Sequence, residues 1–306
     1  MALFSYAQQT QRLIGDVSQA IVPFNDIVNY VNQARRHVAE LTQCCRVLTP
    51  VSGSISSITV LTGGSGYTSP SVTITPPDAP GGTASNPNGL QATAVAHLTG
   101  TSITSITVSA NAGYFNPTVT ITDPTGVNAT AQPVVSSIAQ TVQGQEVYAF
   151  SAVPLGGAQG VSSIIAVKSI SILYNNFRYS LPVYSFTEYQ AYIRRYPFQY
   201  SYVPTVGSQY GQGANGSLYL YPIASQAYQM ELDCFCLPSD LATDADYDAI
   251  PLPWSDSVPY FAAYLAFLQM QKANDARGML DLFDKMLVRQ SQSARPGRIT
   301  NPYGRK

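Results

Sequence analysis

The chain has 306 residues, with 16 Lys and Arg against 17 Asp and Glu for a formal net charge of −1. That length allows large cores without disulfides or a structural metal, and the charge balance excludes an overall pull toward nucleic acid. Hydrophobic residues are an ordinary 45%, but charged residues are only 11%, well under half the usual share of about 25%; solubility falls to Ser, Thr, Asn, Gln and 21 Tyr, a surface suited to permanent subunit contacts.

The opening MALFSYAQQTQRLIGD has no basic segment before an apolar run, and the longest apolar run, Tyr260 to Leu268, is too short to span a bilayer. The expectation is a protein made and folded in a reducing cytoplasm, without a membrane partner. The first fifty residues are helical in pattern. A weaker helix around Leu3 to Ile14 precedes a stripe of Ile27, Val31, Ala34, Val38, Leu41, Cys45 and Leu48 in alternating steps of four and three, with Asn29, Asn32, Arg35, Arg36 and Glu40 off that line. Pro23 and Asn25 mark its start. An isolated helix of this length is marginal in water, and each Leu- or Val-sized member gains about 1.5–3 kcal/mol on full burial, so the stripe needs a partner.

From Val51 the texture changes to Ser, Thr, Gly, Pro and short β-type runs, and an internal repeat appears. SISSITVLTGGSGYTSPSVTITPPD, from Ser54, matches SITSITVSANAGYFNPTVTITDPT, from Ser102; Ile58 aligns with Ile106, Gly66-Tyr67 with Gly113-Tyr114, and each copy closes with Ala-Thr-Ala, at Ala92 and Ala129. Alternating β-branched residues with Gly at turns and Pro at strand starts predict a small β-domain of two similar units over 51–133. With charged side chains nearly absent, it holds no catalytic set.

After Pro133, Ile164, Ala166, Lys168, Ile170, Ile172 and Tyr174 share one face of a strand. Ser185-Phe-Thr-Glu188 is a capping box for a short helix ended by Pro197. Runs at about Tyr202 to Tyr210, Ser217 to Tyr221 and Tyr228 to Phe235 fit antiparallel strands. Two helices end the chain. Val258, Phe261, Leu265 and Leu268 face one way on the first, which Ser255 or Ser257 caps; Met279, Leu282, Phe283, Met286 and Leu287 line the second, which Asn274 caps and an Asp281–Lys285 pair supports. These helices are the partner for the N-terminal stripe. The fold predicted is α+β: a discontinuous α-helical bundle formed by both chain ends plus an antiparallel β region (1–50 and 134–290), with the all-β repeat domain inserted at 51–133. Loop closure grows only logarithmically with length, so such an insertion is physically cheap. No acidic side chain follows Asp284, and residues 291–306 form a basic, Pro- and Gly-containing extended tail.

Candidate chemistry is sparse. Gly211, Gly213 and Gly216 in YGQGANGSLYLYP spell G-x-G-x-x-G, but a nucleotide loop must open a helix, and here an alternating strand follows; the glycines suit a hairpin. Asp244-x-Asp246-x-Asp248 starts like a calcium loop, yet Ala249 and Ser255 stand where Gly and Glu are needed, which reads as a solvated acidic turn. Cys44 and Cys45 are adjacent and Cys234 and Cys236 alternate along a strand; neither pair has C-x-x-C spacing, and reduced thiols are expected. His37 on a helix and His97 among repeat strands lack a nucleophile motif. No enzyme activity, cofactor or metal is predicted.

With the repeat set aside, ARRHVAELTQCC, SLPVYSFTEYQAYIRRYP and YGQGANGSLYLYPIASQAYQMELDCFCLPSDLATDADYDAIPLPWSDSVPYFAAYLAFL resemble the head-to-tail adaptor (connector) proteins of short-tailed bacteriophages, over about two thirds of the chain. The GGSGYTSPSVTIT repeat is similar to small β-modules of phage structural proteins, and simpler adaptors lack this insertion. The resemblance implies a virion structural protein at the head-tail junction. It would form a ring of twelve subunits between the portal protein and a tail nozzle or hub protein, around a channel through which genome DNA passes without sequence-specific binding. It further implies that the C-terminal tail reaches into the portal, which assigns docking to Arg289, Arg295, Arg298, Tyr303, Arg305 and Lys306. The alternative from the β-repeats and tyrosines is a glycan- or receptor-binding tail spike or fibre component.

Overall fold

The computed structural model describes residues 3–18, 20–79, 88–174, 177–197 and 202–293. Helices α1 (Leu3–Ile14) and α2 (Phe24–Thr42) are followed by strand β1 (Arg46–Leu48) and by six strands from the repeat region: β2 (Ile55–Ser65), β3 (Ser71–Ile74), β4 (Ala94–Thr99), β5 (Ser102–Val108), β6 (Val119–Thr122) and β7 (Val127–Val135). Next come β8 (Val147–Ala149), β9 (Val161–Tyr174), β10 (Phe177–Leu181), β11 (Val183–Tyr184), α3 (Phe186–Arg195), β12 (Val206–Tyr210), β13 (Ser217–Tyr221) and β14 (Gln229–Pro238). Helices α4 (Val258–Gln269) and α5 (Ala273–Ser293) close the sequence of elements. The class is α+β. The chain divides into two compact units, one from Met1–Arg46, Ala158–Ile165 and Phe235–Lys306, the other from Val47–Gly157 and Ala166–Cys234.

In the first unit α1, α2, α4 and α5 share one apolar core. Ile27, Val31, Ala34 and Val38 of the stripe are fully buried, packed with Tyr6, Val258, Ala262, Ala266 and Phe283. Helix α4 touches each of the other three. Its buried residues, Val258, Pro259, Ala262, Ala263, Ala266 and Phe267, are mostly small, which lets neighbouring backbones approach. Of the predicted face, Val258 is fully buried, Phe261 and Leu265 are half-buried and Leu268 is exposed, so the inward face turns from Val258 toward the alanines. Leu41, still within α2, is exposed as well, and so is Leu48, the latter because α2 stops at Thr42 and Gln43 takes a left-handed φ of 52°. That turn ends the 3.6-residue phase, and Leu48 follows on a strand. Asn274 lies within the first turn of α5 and does not cap it, and the Ser257 hydroxyl bonds back to the Trp254 carbonyl at 2.7 Å. The Ser185–Glu188 capping box is present at α3. Among the described residues no helix is long and apolar enough to cross a membrane.

In the second unit the repeat strands form one six-stranded sheet, ordered β6-β3-β4-β5-β2-β7. Edge strands β6 and β7 also pack together, curling the sheet toward a barrel around Ile55, Ile58, Tyr67, Ile74, Ile103, Ile106 and Tyr114. Most strands pair copy to copy, Ile58 facing Ile106 and Val72 facing Ile121, while β3 and β4 pair within the first copy. The sheet's first and last strands are antiparallel neighbours, with Ile55 opposite Val135. Two four-stranded sheets complete the β structure, β11-β12-β13-β8 and β1-β14-β9-β10. Helix α3 lies on β11 and β12 over a small core of Tyr189, Val206 and Tyr221.

Candidate functional site

The G-x-G-x-x-G segment is a hairpin. Strands β12 and β13 pair antiparallel from Val206 opposite Tyr221 to Tyr210 opposite Ser217. Between them Gly211 and Gly213 take φ of 76° and 62°, which side chains other than Gly rarely adopt. A Cβ on Gly216 would strike the Phe150 ring. A strand follows the loop, so no helix N-terminus is presented to a phosphate.

The Asp244–Asp248 segment is not a uniformly solvated turn. Asp248 accepts Arg35 Nε at 3.2 Å and Nη2 at 3.0 Å on one carboxylate oxygen and the Tyr6 hydroxyl at 2.5 Å on the other. The Arg35 and Asp248 side chains are 0% and 3% exposed. Arg35 Nη1 also donates to Asn32 Oδ1 and the Ser239 carbonyl, and Asn32 exchanges two bonds with the Leu241 backbone. Burial would raise the Asp248 carboxyl, but the Tyr6 hydroxyl and Arg35 charge outweigh it and hold it below its ordinary value. Burial, then the Asp248 charge, pushes the Tyr6 hydroxyl far up. Asp246 accepts the Ala242 and Thr243 amides at 2.6 Å each, and Asp244 accepts the Phe4 amide at 2.6 Å. These carboxylates are thus spent on the chain itself. Among the described residues no group of three or more His, Cys, Asp or Glu is placed to hold a metal.

Sequence pattern placed Asn32 and Arg35 off the apolar stripe, and their burial was missed. The only signal that could have found them is the later Asp248, whose sequence distance hid the pairing. Cys45, Cys234 and Cys236 are buried, Cys44 is half-buried, and all four are free thiols; burial raises Cys236 to about 11. His37 stacks on Phe261, ring centroids 4.3 Å apart, and lies 5.9 Å from Phe283. His97 Nε2 is 3.1 Å from the Thr107 hydroxyl on the outside of the repeat sheet.

Tyrosines concentrate around α3. Phe186 contacts Tyr210 and Tyr219 with centroids 4.7 and 5.0 Å apart, and Tyr192 contacts Tyr184 and Tyr196 at 6.0 and 5.0 Å. Tyr184, Tyr196 and Tyr210 are exposed, and the Arg195 guanidinium lies 5.6 Å from the Tyr196 ring centroid. Such a Tyr and Arg surface has the composition of protein-interface hot spots. Of the residues assigned to docking, Arg289 is exposed on α5; Arg295, Arg298, Tyr303, Arg305 and Lys306 lie outside the described residues. Nearby, Lys285 and Asp281 make the foreseen pair at 2.6 Å.

A search of the curated proteins finds no match. The model of the SU10 adaptor protein family matches residues 127–302, from the last repeat strand through α5, more than half of the chain. The chain therefore belongs to the SU10 adaptor protein family, consistent with a phage head-to-tail adaptor and a structural role in the virion.

Proposed function

We propose that this protein is the head-to-tail adaptor of a short-tailed phage, a ring of twelve copies that joins portal to tail nozzle and leaves a channel for genome DNA. In this reading residues 291–306 are an arm that docks on the portal, with Arg289 at its base. DNA passes without base-specific contacts, the virion's head-tail junction is its place, and no catalysis takes part. The observation that carries the reading is the family match over 127–302, supported by the core that α4 and α5 share with α1 and α2, which lie outside the match. The Tyr-rich, charge-poor surface supplies contacts that need little charge desolvation, as ring closure requires.

Residues 51–133 are proposed as a separate inserted domain. Their first and last strands lie side by side, with Ile55 opposite Val135, the Ser136 amide donating to the Ser54 carbonyl at 2.7 Å and the Ser54 amide to Ser136 Oγ at 2.9 Å. The chain thus enters and leaves at one place, the geometry an insertion needs.

Electron microscopy of the purified chain, alone and mixed with portal, tests the proposal. Twelve-fold rings that seat on portal are expected; threefold particles would favour a spike. Truncation before Ser291 is expected to leave a folded protein that no longer docks on portal, and unchanged docking would remove the arm from the scheme.

A further inference from the structure

The two repeats of the β-sheet domain hold each other by three pairs of contacts; two map residue onto residue when the copies are exchanged, and in the third the carboxylates play the same part from positions two residues out of alignment, Asp123 matching Pro76 and Asp78 matching Thr125. The Tyr67 amide donates to the Thr101 carbonyl and the Tyr114 amide to the Gly53 carbonyl, both at 3.0 Å; Gly53 and Thr101 immediately precede the aligned starts, Ser54 and Ser102. The buried Tyr67 hydroxyl accepts the Ala129 amide at 3.1 Å, and the Tyr114 hydroxyl accepts the Ala92 amide at 2.8 Å. Asp123 accepts the amides of Thr68 and Ser69 at 3.2 and 2.7 Å, and Asp78 those of Phe115 and Asn116 at 2.8 Å each. Every one of these bonds runs from one copy, or its lead-in residue, to the other.

Strand order obeys the same exchange. Replacing β2, β3 and β4 by β5, β6 and β7, and the reverse, leaves the set of neighbours unchanged once β6 lies beside β7, and those two strands do pack together. A single copy would leave its buried Tyr hydroxyl and the amides after it without these partners, at the cost of desolvated polar groups. Only the Gly100-Thr101 turn, between Thr99 and Ser102 paired across β4 and β5, makes the match intramolecular.

From this we infer that the contact between the repeats is homotypic: each repeat is a docking surface for another copy of the repeat, and a second copy of this chain can supply it. The complementary surface is defined by its chemistry, a Gly-Tyr loop whose amides meet a carboxylate and whose hydroxyl meets a strand amide.

Ile58 and Ile106, opposite each other across β2 and β5, give a reporter. In the full chain carrying Ile58→Cys and Ile106→Cys, oxidation is expected to link one chain to itself, so that a denaturing gel shows single-chain mass. Deleting Gly100 from the same protein keeps Thr101 and its carbonyl but leaves too short a link between Thr99 and Ser102 for β4 to turn back onto β5. Homotypic docking then predicts chains linked in pairs, at twice the mass and separable by reductant, with the chain bearing only its native cysteines as control. A deleted chain that stays soluble and yields only the single-chain species overturns the inference. If the deleted chain precipitates, a second variant decides: residues 54–99 replaced by a second copy of residues 102–135, with the turn kept. A protease-resistant duplicated module with a cooperative melting transition is the expected result; rapid digestion of that segment overturns the inference.

Discussion

Arg35 sits on the same helix as a four-residue apolar stripe and is as fully buried as the stripe itself. It tolerates that position because Asp248, Asn32 and the Ser239 carbonyl accept its protons. Removing one partner of such a pair leaves an uncompensated charge, so Asp248→Ala is expected to cost about 3–5 kcal/mol, whereas Arg35→Met with Asp248→Leu recovers most of the loss. Urea unfolding midpoints of the two variants against the unsubstituted protein decide it. A residue 213 positions away settles the burial of Arg35, which is why no local pattern revealed it. The same carboxylates set the response to acid. Asp16 is held below its ordinary value by the Val22 amide, Asp246 by the Thr243 amide and Asp123 by the Thr125 amide, and Asp248 joins them. A carboxyl lowered on folding stabilises fully above its unfolded value, about pH 4, and loses that contribution as pH falls through the folded value. Thermal midpoints are therefore expected to be flat near neutrality and to fall steeply below about pH 4. A midpoint that rises on acidification would contradict the assignment.

At the scale of elements, α4 shows where periodicity misleads. Its large side chains mark one face, yet Ala262, Ala263 and Ala266 are fully buried in the core shared with α1, α2 and α5, while Phe261 reaches His37 and Phe283 from the half-buried edge. Small side chains at a crowded crossing leave no room for growth, so Ala266→Leu is expected to destabilise by about 1–3 kcal/mol, while Leu268→Ser, on the exposed side, stays within about 0.5 kcal/mol. Calorimetry of the two variants separates the faces. The capping box at Ser185 and the Gly211–Gly216 hairpin were legible in sequence because each rests on residues within a few positions of one another. The end of α2 was not, since a left-handed Gln43 carries no composition signal. The repeat was visible as text, but its strand pairing was not: identical alternation on both copies fits pairing within a copy as well as between copies, and the sheet uses both, β3 with β4 inside the first copy and β2 with β5 and β7, β3 with β6 and β4 with β5 between copies.

At the scale of the whole molecule, the neighbouring ends of the repeat sheet predict that it can be removed. A chain with residues 54–136 replaced by a short Gly and Ser link is expected to keep its helix signal and to lose strand signal alone; collapse of the helical core would show that the repeats support it. Charge is spread unevenly as well. Between Val51 and Pro133 the sequence holds no Lys, Arg or Glu and only two Asp, residues 78 and 123, both turned onto backbone amides. What this appendage offers to its surroundings is thus hydroxyls and aliphatic patches with scarcely any monopole, and dissolved ions have almost nothing there to screen. Any contact it makes should hold as firmly in brine as in rainwater.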